Sequence, residues 1–253
     1  MTSPTPVVKP LSVPLVASAH FERNLIRQAV CELRFPTLYE LEDARPPIAF
    51  AKALRKDYPH HESGNDLNVG VGGLAHPFVH TFRSNRWTVT LRASAIAVET
   101  HQYISYAEFR TKVQQVIEAA VKIIDSDFFT RVGLRYINSV PYNQPEMEKW
   151  VNPVLMQALS SGIYGDVTEH SQRISGVTES GNYLFQHGIG VRNSRQEYVL
   201  DFDFSSENIA VDDCLPTIDK LHEQEFSMFI WALGDNSKAY LGQDKFAKET
   251  KGG

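Results

Sequence analysis

Leu33-Arg34-Phe35 returns 101 residues later as Leu134-Arg135-Tyr136. Each copy sits inside a longer stretch with the two-residue period of a strand: Ala29–Pro36, AVCELRFP, and Phe129–Pro141, FTRVGLRYINSVP. Ala97-Val98-Glu99 recurs 102 residues later as Val199-Leu200-Asp201, and a long amphipathic helix follows both copies. Several matches at a nearly constant offset point to internal duplication. That restricts the fold to two copies of one supersecondary unit.

The order of elements supports this reading. The first strand is about Gln28–Phe35, and Pro46-Pro47 opens a helix over Ile48–Asp57. His60–Gly73 reads as a loop, with Gly64, Gly70, Gly72 and Gly73. Phe78–Arg83, Arg86–Arg92 and Ile96–His101 form a meander. Ser105-Tyr106-Ala107-Glu108 is a capping box for a helix carrying Phe109, Val113, Val116, Ile117, Ala120 and Ile124 on one face. In the second half the central strand precedes a helix over Glu146–Leu159, interrupted at Pro153. Strands over Thr168–Glu179, Asn182–Val191 and Gln196–Ser205 follow. Asp212 or Asp213 caps a final helix whose face is Ile218, Leu221, Glu225, Phe226, Phe229 and Ile230.

Strand, helix, three strands, helix thus occurs twice. The expectation is an α+β fold: a curved, saddle-like antiparallel sheet built from two pseudo-repeats and covered by two long helices. The halves are residues 21–125 and 126–242, packed as one unit. They are flanked by a flexible Pro-rich arm, 1–20, and a polar tail, 243–253. The topology resembles the TATA-binding-protein type and helix-grip folds, an analogy that carries no chemistry.

Net charge is −5 and the pI near 6.0, which opposes a nucleic-acid partner, since such binding relies on a basic surface. No apolar run approaches the ~18 residues of a membrane span. Cys31 and Cys214 are far apart in sequence and read as buried free thiols rather than a disulfide framework. Ala17-Ser18-Ala19 resembles a leader-cleavage site, but the prolines at 4, 6, 10 and 14 and the single Lys9 suit an arm better. The expected compartment is the cytoplasm.

Few motifs carry chemistry. His76 and His80 are four apart around Pro77, which opposes a helix; on a strand they would lie about 13 Å apart, too wide for one metal. His60-His61 is a loop pair, and Gly70-Val71-Gly72-Gly73 is neither a dinucleotide fingerprint nor a P-loop. No nucleophile elbow occurs, and Cys31 is a core strand residue. No metal site and no cofactor are expected. The charged strand residues are more informative. In the central strand Phe129, Arg131, Gly133, Arg135 and Ile137 share one side, and Thr130, Val132, Leu134, Tyr136 and Asn138 form the core side. By the same parity Glu32, Arg34, Glu99, Arg131, Arg135, Asp201 and Asp203 fall on the sheet face away from the helices. Three readings stay open: a solvated face laced with ion pairs, a groove for a small anionic ligand or an extended partner segment, and a divalent cation on Asp201 and Asp203.

Phe21-Glu22-Arg23-Asn24 with AVCELRFP, Trp87-Thr88-Val89-Thr90-Leu91 leading to Val98-Glu99-Thr100 and Tyr103, RVGLRYIN at 131–138, and Tyr198-Val199-Leu200-Asp201-Phe202-Asp203 together resemble a sporadically distributed family of uncharacterised bacterial proteins. The resemblance runs from about residue 20 to 242, with RVGLRYIN its most specific part. It implies no catalytic residue; its patchy distribution implies an accessory role in a mobile or defence system. The leading expectation is therefore a non-catalytic bacterial protein whose duplicated sheet is a platform for a protein partner or for self-association. The alternative is a small-molecule or anion-binding sensor or enzyme on the charged face, and a third is nucleic-acid binding on the saddle.

Overall fold

Alternation along the strands builds the architecture. In Trp87–Arg92, Trp87, Val89 and Leu91 are buried while Thr88, Thr90 and Arg92 stay half open. In Arg195–Ala210, Tyr198, Leu200, Phe202 and Phe204 are all fully buried. One side of each strand therefore leaves water and the other meets it. The computed structural model describes residues 8–42, 45–65, 68–70, 73–75, 78–142 and 146–242. Its strands are β1 (Ile26–Arg34), β2 (His60–Asn65), β3 (Asn68–Gly70), β4 (Gly73–Ala75), β5 (Phe78–Arg83), β6 (Trp87–Arg92), β7 (Ala95–Thr100), β8 (Phe128–Pro141), β9 (His170–Val177), β10 (Asn182–Arg192) and β11 (Arg195–Ala210). Nine of them form one antiparallel sheet in the order β2-β5-β6-β7-β1-β8-β11-β10-β9; β3 and β4 pair separately. The helices are α1 (Ile48–Leu54), α2 (Tyr106–Ala120), α3 (Met147–Trp150), α4 (Cys214–Ala232) and α5 (Asp235–Leu241). Among the described residues no helix is long and apolar enough to cross a membrane.

The chain divides into two compact units. One is Ile26–Tyr136 with Ser206–Asp219, here the early unit; the other is Ile137–Ser205 with the described parts of Met1–Leu25 and Lys220–Gly253, the late unit.

In the early unit, β1, β5, β6 and β7 lay Cys31, Leu33, Phe82, Val89, Leu91, Ile96 and Val98 into a core shared with Phe50 and Leu54 of α1 and Phe109, Val113 and Val116 of α2. Phe50 meets Phe82 edge-on at 5.5 Å, and Trp87 lies 5.8 Å from Phe109. Ser105 caps α2 by accepting from the Glu108 N–H at 3.3 Å. Glu108 takes a different partner from the expected one: both its carboxylate oxygens accept from Arg86, each at 2.9 Å. A bidentate guanidinium outcompetes a backbone amide for the carboxylate. Asp219 ties helix to helix: it accepts from Tyr106 Oη at 2.6 Å and from Arg110 Nε and Nη2 at 2.7 and 2.9 Å. Burial, then the Asp219 bond, pushes the Tyr106 phenol far above its ordinary value.

In the late unit, Phe185 stacks on Phe202 at 4.7 Å, and Phe229 meets Phe202 edge-on. The turn after α3 is locked to the end of α4, and α3 to α5: Asn152 N–H donates to the Ala232 carbonyl, Asn152 Nδ2 to the Trp231 carbonyl, and Ser237 Oγ of α5 to the Trp150 carbonyl. Gly234 packs so closely on Lys149 and Trp150 that a Cβ would strike the Lys149 carbonyl.

Three expectations need correction. The segment expected to loop from His60 begins with β2, which pairs with β5 in the register Glu62↔Thr81. Poor intrinsic strand formers are tolerated there because β2 is an edge, held by the Arg83–Glu62 pair and by His61 against Phe82 at 4.6 Å. The helix expected over Glu146–Leu159 is only α3 plus a 3-10 turn over Pro153–Met156; Pro153 cannot continue α3, and Asn152 caps the new turn through Val154 N–H. The helix expected to be capped by Asp212 or Asp213 is α4; both residues lie in a 3-10 turn, Val211–Asp213, that runs into it, and α5 follows it. Residues 8–20, the described part of the expected arm, form neither helix nor strand; Leu11 N–H donates to the Val177 carbonyl and Val16 N–H to Ser227 Oγ. The His76-Pro77 half of the histidine spacing, Val71-Gly72 of the glycine run and the tail 243–253 lie outside the described residues.

Gly188 has φ +155, and a Cβ there would collide with the His170 carbonyl and come within 2.9 Å of Ser171 Cα. Gly188→Ala is expected to lower unfolding free energy by about 2 kcal/mol or more in urea titration. Gly64→Ala on the β2 edge, with nothing within 4 Å of the new methyl, should change it by less than about 0.5 kcal/mol.

Candidate functional site

The charged strand residues divide between the two units. Glu32, Arg34, Glu99, Arg131 and Arg135 belong to the early unit; Asp201 and Asp203 belong to the late one.

In the early unit the register sets Val30 opposite Glu99 and Glu32 opposite Ala97. Glu32 is the node. Its Oε1 accepts from Arg34 Nε at 2.7 Å and lies 3.4 Å from Arg131 Nη1. Arg34 keeps 55% of its side chain in water, Glu32 27% and Arg131 21%. Solvent on this scale limits each pair to a fraction of a kcal/mol. Arg131 owes its position to Gly133. A Cβ at Gly133 would come within 2.8 Å of Arg131 Cζ, so the guanidinium lies along its own strand over the missing side chain. Glu99 faces His101 Nε2 at 2.6 Å. Arg135 is exposed, between the buried Leu134 and Tyr136. Phe129 is fully buried although it shares the parity of Arg131. Between the charges lie small outward positions: Thr88 opposite Glu99 and Thr90 opposite Ala97.

In the late unit Asp201 and Asp203 are half-buried on β11, opposite Gln186 and Leu184 of β10. Among the described residues no three His, Cys, Asp or Glu side chains gather where they could hold a metal, Asp201 and Asp203 included.

Sequence reasoning missed a second polar cluster, in the late unit. His187 of β10 is 2% exposed and stacks on Phe185 at 4.8 Å. Its Nδ1 is 2.9 Å from Tyr198 Oη, and that hydroxyl donates to the Leu155 carbonyl at 3.4 Å. With the phenol proton so used, His187 donates from Nδ1 and turns Nε2 into a bare acceptor. Nε2 is buried with no hydrogen-bond partner, as is Nδ1 of His170, whose ring centre lies 6.3 Å away. Burial, then the neighbouring His170, holds the His187 pKa down to about 4. The signal was present: His187 shares the parity of Phe185 and Ile189, both buried.

Cys31 and Cys214 are both fully buried in the early unit. Burial raises the Cys31 thiol well above its ordinary value and pushes Cys214 up to about 12, so neither has the character of a nucleophile at neutral pH.

The His187 environment makes stability depend on pH. The unfolded chain takes up this proton near pH 6.5, whereas the folded chain resists until about 4. Stability should therefore fall as pH drops from 6.5 towards 4, by up to ~3 kcal/mol from this group, with no further loss below. Denaturant titrations across that range should show the slope, and His187→Gln should flatten it. Gly133→Ala should lift Arg131 off the strand and destabilise the early unit by about 1 kcal/mol. Adding Arg131→Ala to it should recover most of that loss, as a double-mutant cycle would show.

No protein-family model matches the chain, and no curated protein matches it.

Proposed function

We propose that this is a non-catalytic binding protein of the bacterial cytoplasm whose open sheet face is a platform for a protein partner or for a second copy of itself. The observation that carries the reading is the Glu32 node. Arg34 and Arg131 are already committed to one carboxylate, so they do not form a pair poised over an anion. Around them stand small side chains, Thr88, Thr90 and Ala97. Mixed-sign charge around small residues suits a complementary protein surface, where charge sets partner choice more than affinity. Net charge of −5 counts against nucleic acid.

The fold is best understood as a duplication of the TATA-binding-protein-like or helix-grip-like kind. Support comes from the sheet order, in which each half runs outward from its opening strand: β1-β7-β6-β5 and β8-β11-β10-β9. Burial also follows the offset. Leu33 and Leu134 are buried, Arg34 and Arg135 exposed, Phe35 and Tyr136 buried again. A role in a mobile or defence system rests on the family resemblance.

The test compares the wild-type chain with Arg34→Glu and with Lys149→Ala, a surface control in the late unit. Light scattering over about 1–100 µM and pull-down from a native host are the readouts. The expected result is a self-complex or a specific partner that Arg34→Glu weakens at least about tenfold and Lys149→Ala leaves intact. A monomer with no partner, or a partner indifferent to Arg34→Glu, would refute the reading.

A further inference from the structure

The segment running from Lys9 to Ala19 lies on the late unit through its backbone. It has no helix or strand of its own, yet two of its backbone donors are used by the body of the unit. Leu11 N–H bonds the carbonyl of Val177, the last residue of the sheet-edge strand β9, at 2.8 Å. Val16 N–H bonds Ser227 Oγ on α4 at 2.9 Å, while that hydroxyl donates to the Glu223 carbonyl. With the segment in place Ser227 is 1% exposed, and its oxygen accepts from the segment's backbone.

The hold is weak for its length. None of the residues from Val8 to His20 is buried, and Val8, Leu15 and Val16 are 64%, 72% and 43% exposed. Ordering each backbone residue costs about 1–2 kcal/mol, and two hydrogen bonds with a few half-buried side chains return only part of that cost over the segment. The anchoring lies further on. Phe21 stacks on Phe226 at 6.1 Å, Arg23 N–H bonds the Leu241 carbonyl and its guanidinium covers Tyr240, and Leu25 is buried and accepts from Ser139 N–H. A weakly held extended stretch, tethered by a firm anchor, stays seated because the tether keeps its local concentration high.

We infer that the surface between the end of β9 and Ser227 of α4 is a docking site for an extended, apolar, proline-interrupted peptide segment, and that the chain's own Lys9–Ala19 stretch is its displaceable occupant. The recognition is by main-chain donors to a strand-end carbonyl and a helix hydroxyl, the mode that extended peptides use on sheet edges. Prolines at 10 and 14 suit the occupant, because they fix an extended backbone without adding donors that would need partners.

The test uses the full chain with a protease site inserted between Ala17 and Ser18, both exposed, cut only after folding. The expected result is that the released segment separates on gel filtration. A fluorescent peptide of residues 8–17 should then bind the cut chain saturably, with at least tenfold higher affinity than it shows for the uncut chain, by anisotropy. Ser227→Ala, cut the same way, should weaken that binding several-fold while leaving the urea unfolding midpoint of the uncut chain unchanged. If the segment stays associated after cutting, it is a permanent part of the fold and the inference fails. Absence of saturable binding up to millimolar peptide, or equal binding by cut and uncut chains, would also overturn it.

Discussion

An antiparallel sheet has two faces, and each unit can spare water from only one of them. The early unit covers Cys31, Leu33, Val89, Leu91, Ile96 and Val98; the late unit covers Phe185, Leu200, Phe202 and Phe204. At about 25 cal/mol per Å² of apolar surface removed from water, these rows supply the main folding free energy. Helix capping, the Arg86–Glu108 fork and the α3–α5 contacts then fix where the covering elements lie. The opposite face inherits whatever the alternate positions carry, and here they carry arginine, glutamate, threonine and alanine.

Two polar clusters are arranged unequally: Asp219 is about a third exposed, whereas His187 is buried. Asp219 satisfies three donors at the junction of two helices and functions as a clamp. His187 satisfies only one of its nitrogens. A buried ring with an unmet acceptor costs stability, which its stacking on Phe185 offsets in part.

How much of this was legible in the sequence depends on which physical effect decided each element. Parity was legible, because a side-chain period of two leaves a direct trace in composition; Leu200-Asp201-Phe202-Asp203-Phe204 needs no tertiary knowledge. The strand β2 was not, since His-His-Glu-Ser-Gly-Asn has no preference for strand and becomes one only through pairing with β5. The early end of α3 was foreshadowed by Pro153, although the rest of the segment kept a helical pattern. For the candidate site, the shared face of Glu32, Arg34 and Glu99 could be read from alternation. The bond pattern could not: sequence offers no way to see that Arg131 turns back over Gly133 to reach Glu32. His187 carried a parity signal but no motif, and a lone histidine in an apolar row says nothing about a missing partner.

The two thiols of the early unit have a consequence for kinetics. Cys31 lies in β1 and Cys214 opens α4, both out of reach of solvent and both held protonated. A small alkylating reagent can modify them only when that unit opens. Their labelling rate is thus a built-in clock for its fluctuations, two reporters on separate elements that tick together if the unit opens as a whole and apart if α4 frays first.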